Sequence, residues 1–477
     1  MISTGYKQPR GFSVFFLTEM WERYGFYVVQ TLLVFYLLKE LHLSDEENYI
    51  IIGSFTALAY INSLFGGMIA DRFIGSANAV IIGGLALFVG YCLLSLVTDS
   101  GSLTLSLGLI AVGTGLLKPN LTSLLSILYP ENDEQFKDSG YTLYYVGLYI
   151  GALGGSLLGG YIQKYMGWKI IFLSAAIAML FGVLIFTLGK AKYKLIDPRK
   201  PRVRKRDGLL AIVSILIMFA VSCAAIHSEF LSKWIMIVIG LFCIGLLLFC
   251  IYIHNGNQRR KLIAFSGLVI LLVCYWAMFF QQFFSISLAI GRTASLPFPP
   301  SSMPAIENLG VVIFGPIITY LWFYFKKNKG EDISIPAKFS LSFLFNSACF
   351  LILAGGLWYA SLQHIYFNAW FIVSAYLLLA IGELCISPTS LAMVTTLVPK
   401  KYTSMMMGIS LLSIGFGGKV TGLLAATAVV DDKIHSLAET QTIYMNAFFI
   451  YFLISMATFV VSLILGRYIK KLIDIKE

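Results

Sequence analysis

Along the 477 residues, long apolar runs alternate with short polar stretches. Fourteen runs stand out, over 12–38, 49–70, 77–97, 103–129, 140–162, 170–189, 208–227, 231–253, 262–290, 308–325, 338–361, 366–395, 404–429 and 441–466. Most supply the roughly 20 apolar residues that a helix needs to cross a bilayer. Helices are the natural form for such runs, because in hydrocarbon each backbone N–H and C=O must be satisfied within the segment. The pattern predicts an all-α membrane protein with fourteen transmembrane helices.

Six runs precede the polar segment 190–206 and eight follow it. The runs 208–227 and 231–253 contain no deeply placed charge and are joined by a short turn around His227–Phe230, so they read as a hairpin inserted at the periphery of a six-plus-six core. The expected division is a first six-helix bundle over 1–190, a basic cytoplasmic linker with the inserted hairpin over 191–257, and a second six-helix bundle over 258–477. The fifth and eleventh core helices echo one another through Gly147, Gly151, Gly154, Gly155 and Gly159 against Gly408, Gly415, Gly417, Gly418 and Gly422. Small residues of this kind let helices approach closely. Internal two-fold repetition in a membrane protein points to a transporter whose site lies at the midplane between the halves.

Composition agrees with the pattern. With 58% hydrophobic and only 12% charged residues, the chain cannot be an ordinary water-soluble globule. The net charge of +11 does not suggest a nucleic-acid partner, because of where the cations lie. If the N-terminus is inside, 26 of the 35 Lys and Arg residues fall on cytoplasmic segments, nine of them in 190–206. This is the asymmetry that orients multi-spanning proteins, and it puts both termini in the cytoplasm. No cleavable signal is expected, since the first run is too long for a signal core and lacks a small-residue cleavage site. The seven cysteines fall within predicted spans at no metal-ligand spacing and read as small buried residues, with no metal or cofactor implied. No nucleophile elbow, phosphate loop or His/Cys cluster suggests an enzyme, so no catalytic residue is assigned.

One run breaks the apolar rule. Glu19, Glu22, Arg23, Phe26, Tyr27 and Gln30 recur at helical spacing within the first span and so share one face, which must look at protein or water. An internal salt bridge and a substrate or proton site are the two readings of that face.

Further along, Gly66-Gly67-Met-Ile-Ala-Asp71-Arg72 ends in Gly75, Gly115-Leu-Leu-Lys118-Pro119-Asn120 puts a lysine mid-span, and Glu383-Leu-Cys-Ile-Ser387-Pro388 puts a carboxylate in another. Together with Glu19-x-x-Glu22-Arg23-x-x-Phe26-Tyr27, these motifs resemble those of the proton-coupled oligopeptide transporters of the major facilitator superfamily. The resemblance extends over nearly the whole chain and includes the extra hairpin of bacterial members. It implies the major facilitator fold, two six-helix bundles plus the hairpin. It also implies import of di- or tripeptides, or of peptide-like zwitterions, by proton symport and alternating access. The setting would be a plasma membrane such as a bacterial inner membrane, with the single chain as the working unit.

By the same resemblance, proton coupling falls to Glu19, Glu22, Arg23 and Lys118. Substrate binding falls to Arg23, Tyr27, Tyr60, Lys118, Tyr149, Trp276, Phe280, Glu383 and Ser387. Arg23 and Lys118 would meet a substrate carboxylate and Glu383 its ammonium. In a low-dielectric cleft the proton affinity of a carboxylate depends on desolvation and on adjacent cations, so an exchange of partners links substrate to proton. Lys118 also admits a reading as a helix-pairing or snorkelling charge.

Three departures from the family pattern bear on this. Tyr149 stands where the family has an asparagine touching the peptide, and Phe280 stands where many members have an acid before Gln281-Gln282. Glu307 lies near the place of another polar peptide contact. Lys419 has no family role and reads either as a partner for Glu383 or as a side chain reaching an interface. Counted over Glu19, Glu22, Glu383, Arg23, Lys118 and Lys419, intramembrane charge balances, which suits a zwitterionic or neutral solute. The departures leave open a transporter of the same fold that carries a non-peptide metabolite with altered proton coupling.

Overall fold

The computed structural model describes residues 8–129, 134–195, 205–329, 333–431 and 436–474. Residues 196–204, most of the basic linker, lie outside them. The described residues are helical almost throughout, and their one β-bridge pairs Ala294 with Phe367. In chain order the helices are α1 (Phe12–Lys39), α2 (Asp45–Ile69), α3 (Ser76–Leu94), α4 (Ser100–Ile127), α5 (Glu134–Met166), α6 (Trp168–Tyr193), α7 (Lys205–His227), α8 (Glu229–Ile253), α9 (Gly256–Phe279), α10 (Ser285–Thr293), α11 (Pro304–Lys329), α12 (Ile335–Gln363), α13 (Ala369–Leu397), α14 (Thr403–Ala425) and α15 (Leu437–Asp474). Among the described residues, thirteen helical segments are long and apolar enough to cross a membrane. With 28 residues, α1 matches them in length, but the ionisable side chains at 19, 22 and 23 lower its hydropathy.

Local chemistry marks the ends. The Asp99 carboxylate accepts from Gly101 N at 2.8 Å and Ser102 N at 3.0 Å, giving the first turn of α4 a capping box. Asn368 Oδ1 accepts from Trp370 N at 2.9 Å at the start of α13. The expected run 49–70 starts earlier, at Asp45, and extends through a π-helical turn over Ala70–Ile74, closed by a bond from Gly75 N to Ala70 O at 2.8 Å. Gly75 has φ +76°, a conformation that favours glycine.

The expected single span 262–290 is broken instead into α9, a 3₁₀ turn over Phe280–Phe283, and α10. Ser285 Oγ donates to Gln281 Oε1 at 2.6 Å, and Gln281 Nε2 donates to Thr421 O at 3.1 Å, so side chains stabilise the interruption.

The contacts group the chain into two units. The first comprises residues up to Tyr36 together with Leu58–Ser228, and the second comprises Leu37–Ala57 together with Glu229–Glu477. Within the first unit, α3 packs on α4 and α6, and α7 lies on α4 and the π-helical turn. There Ile69, Ala70, Ile74, Val112, Leu116, Ala211 and Met218 form one buried cluster. Within the second unit, α12 packs on α13 and α15, α9 on α14, α11 on α13, and α8 on α9. The helices of the predicted hairpin therefore group with different units, α7 with the first and α8 with the second.

Glycine sets the closest approaches. A Cβ on Gly151 would collide with the Met20 carbonyl and one on Gly155 with the Tyr24 carbonyl, so α5 lies against the α1 backbone. On α14 a Cβ at Gly417 would meet Trp276, and one at Gly422 the Tyr49 carbonyl. Many large apolar side chains face outward, among them Leu209, Leu216, Val238, Leu241 and Phe323. In water such a surface would be an aggregation site, whereas on spanning helices it is what lipid covers.

Candidate functional site

In the first unit the charged face of α1 is buried as a group: Glu19, Glu22 and Arg23 are 1%, 0% and 2% exposed. Helical spacing brings Glu19 and Arg23 together, with Arg23 Nε 3.6 Å from Glu19 Oε1. The stronger pairing is with the adjacent residue. Arg23 donates through both Nε and Nη2 to the two oxygens of Glu22, a forked contact of the kind that makes arginine–carboxylate pairs strong and directional. Phe26, one turn on, places its ring 4.5 Å from the guanidinium carbon.

Close packing of α5 on α1 supplies the other oxygen of Glu19 with a partner. The Tyr144 hydroxyl donates to Glu19 Oε2 at 2.6 Å. Lys118, on α4, stands 5.2 Å from the Tyr60 ring centroid and interacts electrostatically with Arg23, Glu19 and Glu22. Two carboxylates and two cations thus make a neutral buried set. Tyr27, Tyr60 and Tyr149 are each half-buried in the same unit.

The second unit holds the other sequence-selected residues. Trp276 and Phe280 belong to an aromatic stack, with Trp276–Phe279 centroids 5.2 Å apart, Trp276–Phe280 5.7 Å and Phe280–Phe283 6.3 Å. Glu383 is half-buried on α13, with Ser387 Oγ 3.5 Å from its Oε1, one turn on. Glu307, in the first turn of α11 and 1% exposed, lies within hydrogen-bonding reach of Glu383. The reading of Lys419 as a partner of Glu383 is not what forms: Lys419 Nζ donates to Ser54 Oγ at 2.9 Å, and Ser54 Oγ is 2.9 Å from Ser232 Oγ.

Two residues gain weight from the structure. Tyr144 stood in the sequence only as one aromatic among several on α5, and spacing does not tell a hydroxyl donor from packing. Glu307 shows itself as a deeply buried acid only once α11 is placed against α13. It also alters the charge count, adding a fourth intramembrane carboxylate to the three counted in the sequence. Elsewhere in the second unit, Arg292 makes a forked pair with Asp45 at 2.6 and 2.7 Å and donates to Tyr444 Oη at 2.7 Å. Among the described residues no group of three or more His, Cys, Asp or Glu is placed to hold a metal ion.

The family model described as the POT family matches residues 77–443. Dipeptide and tripeptide permease A of Serratia proteamaculans is 30% identical over 475 residues, covering 96% of this chain and 91% of that protein. Dipeptide and tripeptide permease B of Shigella dysenteriae is 29% identical over 480 residues, covering 99% and 98%. Among solved structures, tetrameric PepTSo2 superposes with a TM-score of 0.85 at 22% identity over 97% of this chain and 99% of that one. A POT family transporter in complex with 5-aminolevulinic acid does so at 0.80, with 24% identity over 98% of each. These two likenesses show a shared fold, the major facilitator arrangement.

Proposed function

The chain belongs to the POT family, and from that premise we propose that it imports di- and tripeptides, or peptide-like zwitterions, together with protons by alternating access. The observation that carries the reading is the buried set Glu19, Glu22, Arg23, Lys118 and Tyr144. Charge at membrane depth is costly and is retained where it works. Here it is arranged as an arginine fork with two carboxylates in reach and a lysine beside it.

The chemistry follows from competition for the fork. When Glu22 is ionised it occupies both donors of Arg23. When Glu22 takes a proton its hold on the guanidinium weakens, and Arg23 and Lys118 are then available to a substrate carboxylate. Release of substrate lets Glu22 recapture Arg23 and give up the proton. Proton and substrate therefore travel together, since neither the fork nor the carboxylate is left buried and uncompensated, a state costing about 3–5 kcal/mol. Tyr144 holds Glu19 throughout. The relatives named as permeases for di- and tripeptides support this substrate class, and the expected setting is a bacterial inner membrane with both termini cytoplasmic and the single chain as the carrier.

A second reading has its own support. Phe280 is buried in an aromatic stack and supplies no acid, and one solved relative holds 5-aminolevulinic acid. A non-peptide zwitterion with altered coupling would suit both. A thermal-stability screen of the purified protein against di- and tripeptides, free amino acids and small zwitterionic metabolites separates the two readings, because a ligand that binds only the folded state raises the melting temperature. Stabilisation by several peptides and not by single zwitterions supports peptide import; the reverse pattern overturns it.

A further inference from the structure

Within the second unit, two carboxyl groups approach each other. Glu307 is 1% exposed, is within hydrogen-bonding reach of Glu383, and its Oε1 has no hydrogen-bond partner. Titratable groups from three elements lie around the pair. From α9 comes Tyr275, whose buried hydroxyl lies against Gly382 and likewise has no hydrogen-bond partner. From α12 comes Cys349, and from α13 come Tyr376 and Cys385. Lys338 of α12 acts on Cys385. Among the described residues, the charged group acting on Glu307 is Glu383.

Two carboxylates at hydrogen-bonding distance repel each other when both are ionised, and one proton shared between them removes that repulsion and supplies the missing donor. We propose that Glu307 and Glu383 form a proton-sharing carboxyl pair, lying wholly within the second unit, that holds one proton in the substrate-free protein and yields it when a substrate ammonium docks between the two carboxylates. The ammonium brings a positive charge and its own N–H donors, and so takes over both tasks of the proton. The shared proton also restores the charge balance counted in the sequence, since Glu307 and Glu383 then carry one negative charge between them. This second proton-linked site depends on the reading of the chain as a carrier of zwitterions only for the docking step; the shared proton stands on the pair alone.

Glu307→Gln isolates the effect. An amide at 307 donates N–H to an ionised Glu383, so the charge of the pair stays at minus one while the shared proton is lost. Infrared difference spectra of substrate-free wild type against Glu307→Gln at neutral pH, in H2O and D2O, should show loss of an isotope-sensitive protonated-carboxyl stretch. Loss of an ionised-carboxylate band instead would overturn the proposal. Glu383→Gln provides the same comparison if Glu307→Gln is not monodisperse. Calorimetric titration with a free-amino dipeptide, in buffers of different ionisation enthalpy, should show about one fewer proton released per bound peptide in Glu307→Gln than in wild type. An unchanged proton count per bound peptide would refute the exchange. If wild type binds no peptide, peptide import fails while the infrared comparison still decides the pair.

Discussion

Arg23 has more acceptors within reach than it can serve equally. Its fork engages Glu22 on both oxygens while Glu19 stays 3.6 Å from Nε and takes its short bond from Tyr144 instead. That inequality is what the proposed switch requires and a static salt bridge does not. Lysine keeps the charge but cannot reproduce the planar fork, so Arg23→Lys should insert and fold yet lose most proton-driven uptake, by about tenfold or more. Arg23→Ala leaves the carboxylates uncompensated, which costs on the order of 3–5 kcal/mol, and should also lower the melting temperature. Uptake into proteoliposomes, read beside monodispersity, checks both. Uptake by Arg23→Lys equal to wild type would mean that charge alone is needed there.

The site exists because elements meet at defined depths. Tyr144 reaches Glu19 because α5 is small where it crosses α1, and the glycines there are not equivalent. Gly151 and Gly155 face α1 carbonyls, whereas a Cβ on Gly154 would sit 3.6 Å from the Tyr24 ring, an ordinary contact. Gly151→Ala and Gly155→Ala should each destabilise by about 1–3 kcal/mol through overpacking, while Gly154→Ala should be tolerated. Melting of the three purified variants tests this ranking.

At the other end of the scale of burial, the Asp99 carboxyl lies below the usual aspartate range, held there first by the Ser102 N–H bond. A depressed folded-state value means that the cap stabilises above the ordinary aspartate range and is lost as pH falls through the lowered one. Asp99→Ala should therefore melt below wild type at neutral pH, with the gap closing on acidification. Asp99→Asn keeps an acceptor and should show less of the gap.

For the whole molecule, transport with and without a gradient separates carrying from coupling. If the proton rides on Glu22, then Glu22→Gln, which keeps size and hydrogen bonding but cannot ionise, should still exchange substrate across membranes at equal pH. It should fail to accumulate substrate against a concentration difference when a pH gradient is imposed. Counterflow and gradient-driven uptake of labelled substrate in the same proteoliposomes measure the two. Accumulation that persists in Glu22→Gln and also in a Glu19→Gln, Glu22→Gln double variant would move the coupling away from the α1 carboxylates.

By itself the sequence determined that this protein is a bundle of spanning helices with charge buried in the first of them. Hydrophobic length and the cost of an ionised group in hydrocarbon are local properties, readable residue by residue. It likewise marked Glu19, Glu22, Arg23, Lys118 and Glu383, because each is an ionisable residue inside an apolar run. Only the tertiary structure decided which partners these residues have. Spacing gave Glu19 to Arg23, but the fork went to Glu22. An aromatic on α5 became the donor to Glu19, Lys419 turned to Ser54, and Glu307 became the neighbour of Glu383. The break after Phe279 was equally out of reach, since side-chain bonds made across the fold, such as that of Gln281 to the Thr421 carbonyl, interrupt a run that reads as continuous. A partner is chosen by distance and direction between helices, and those are set by how glycines and bulky side chains fit across a contact, which no one-dimensional pattern contains.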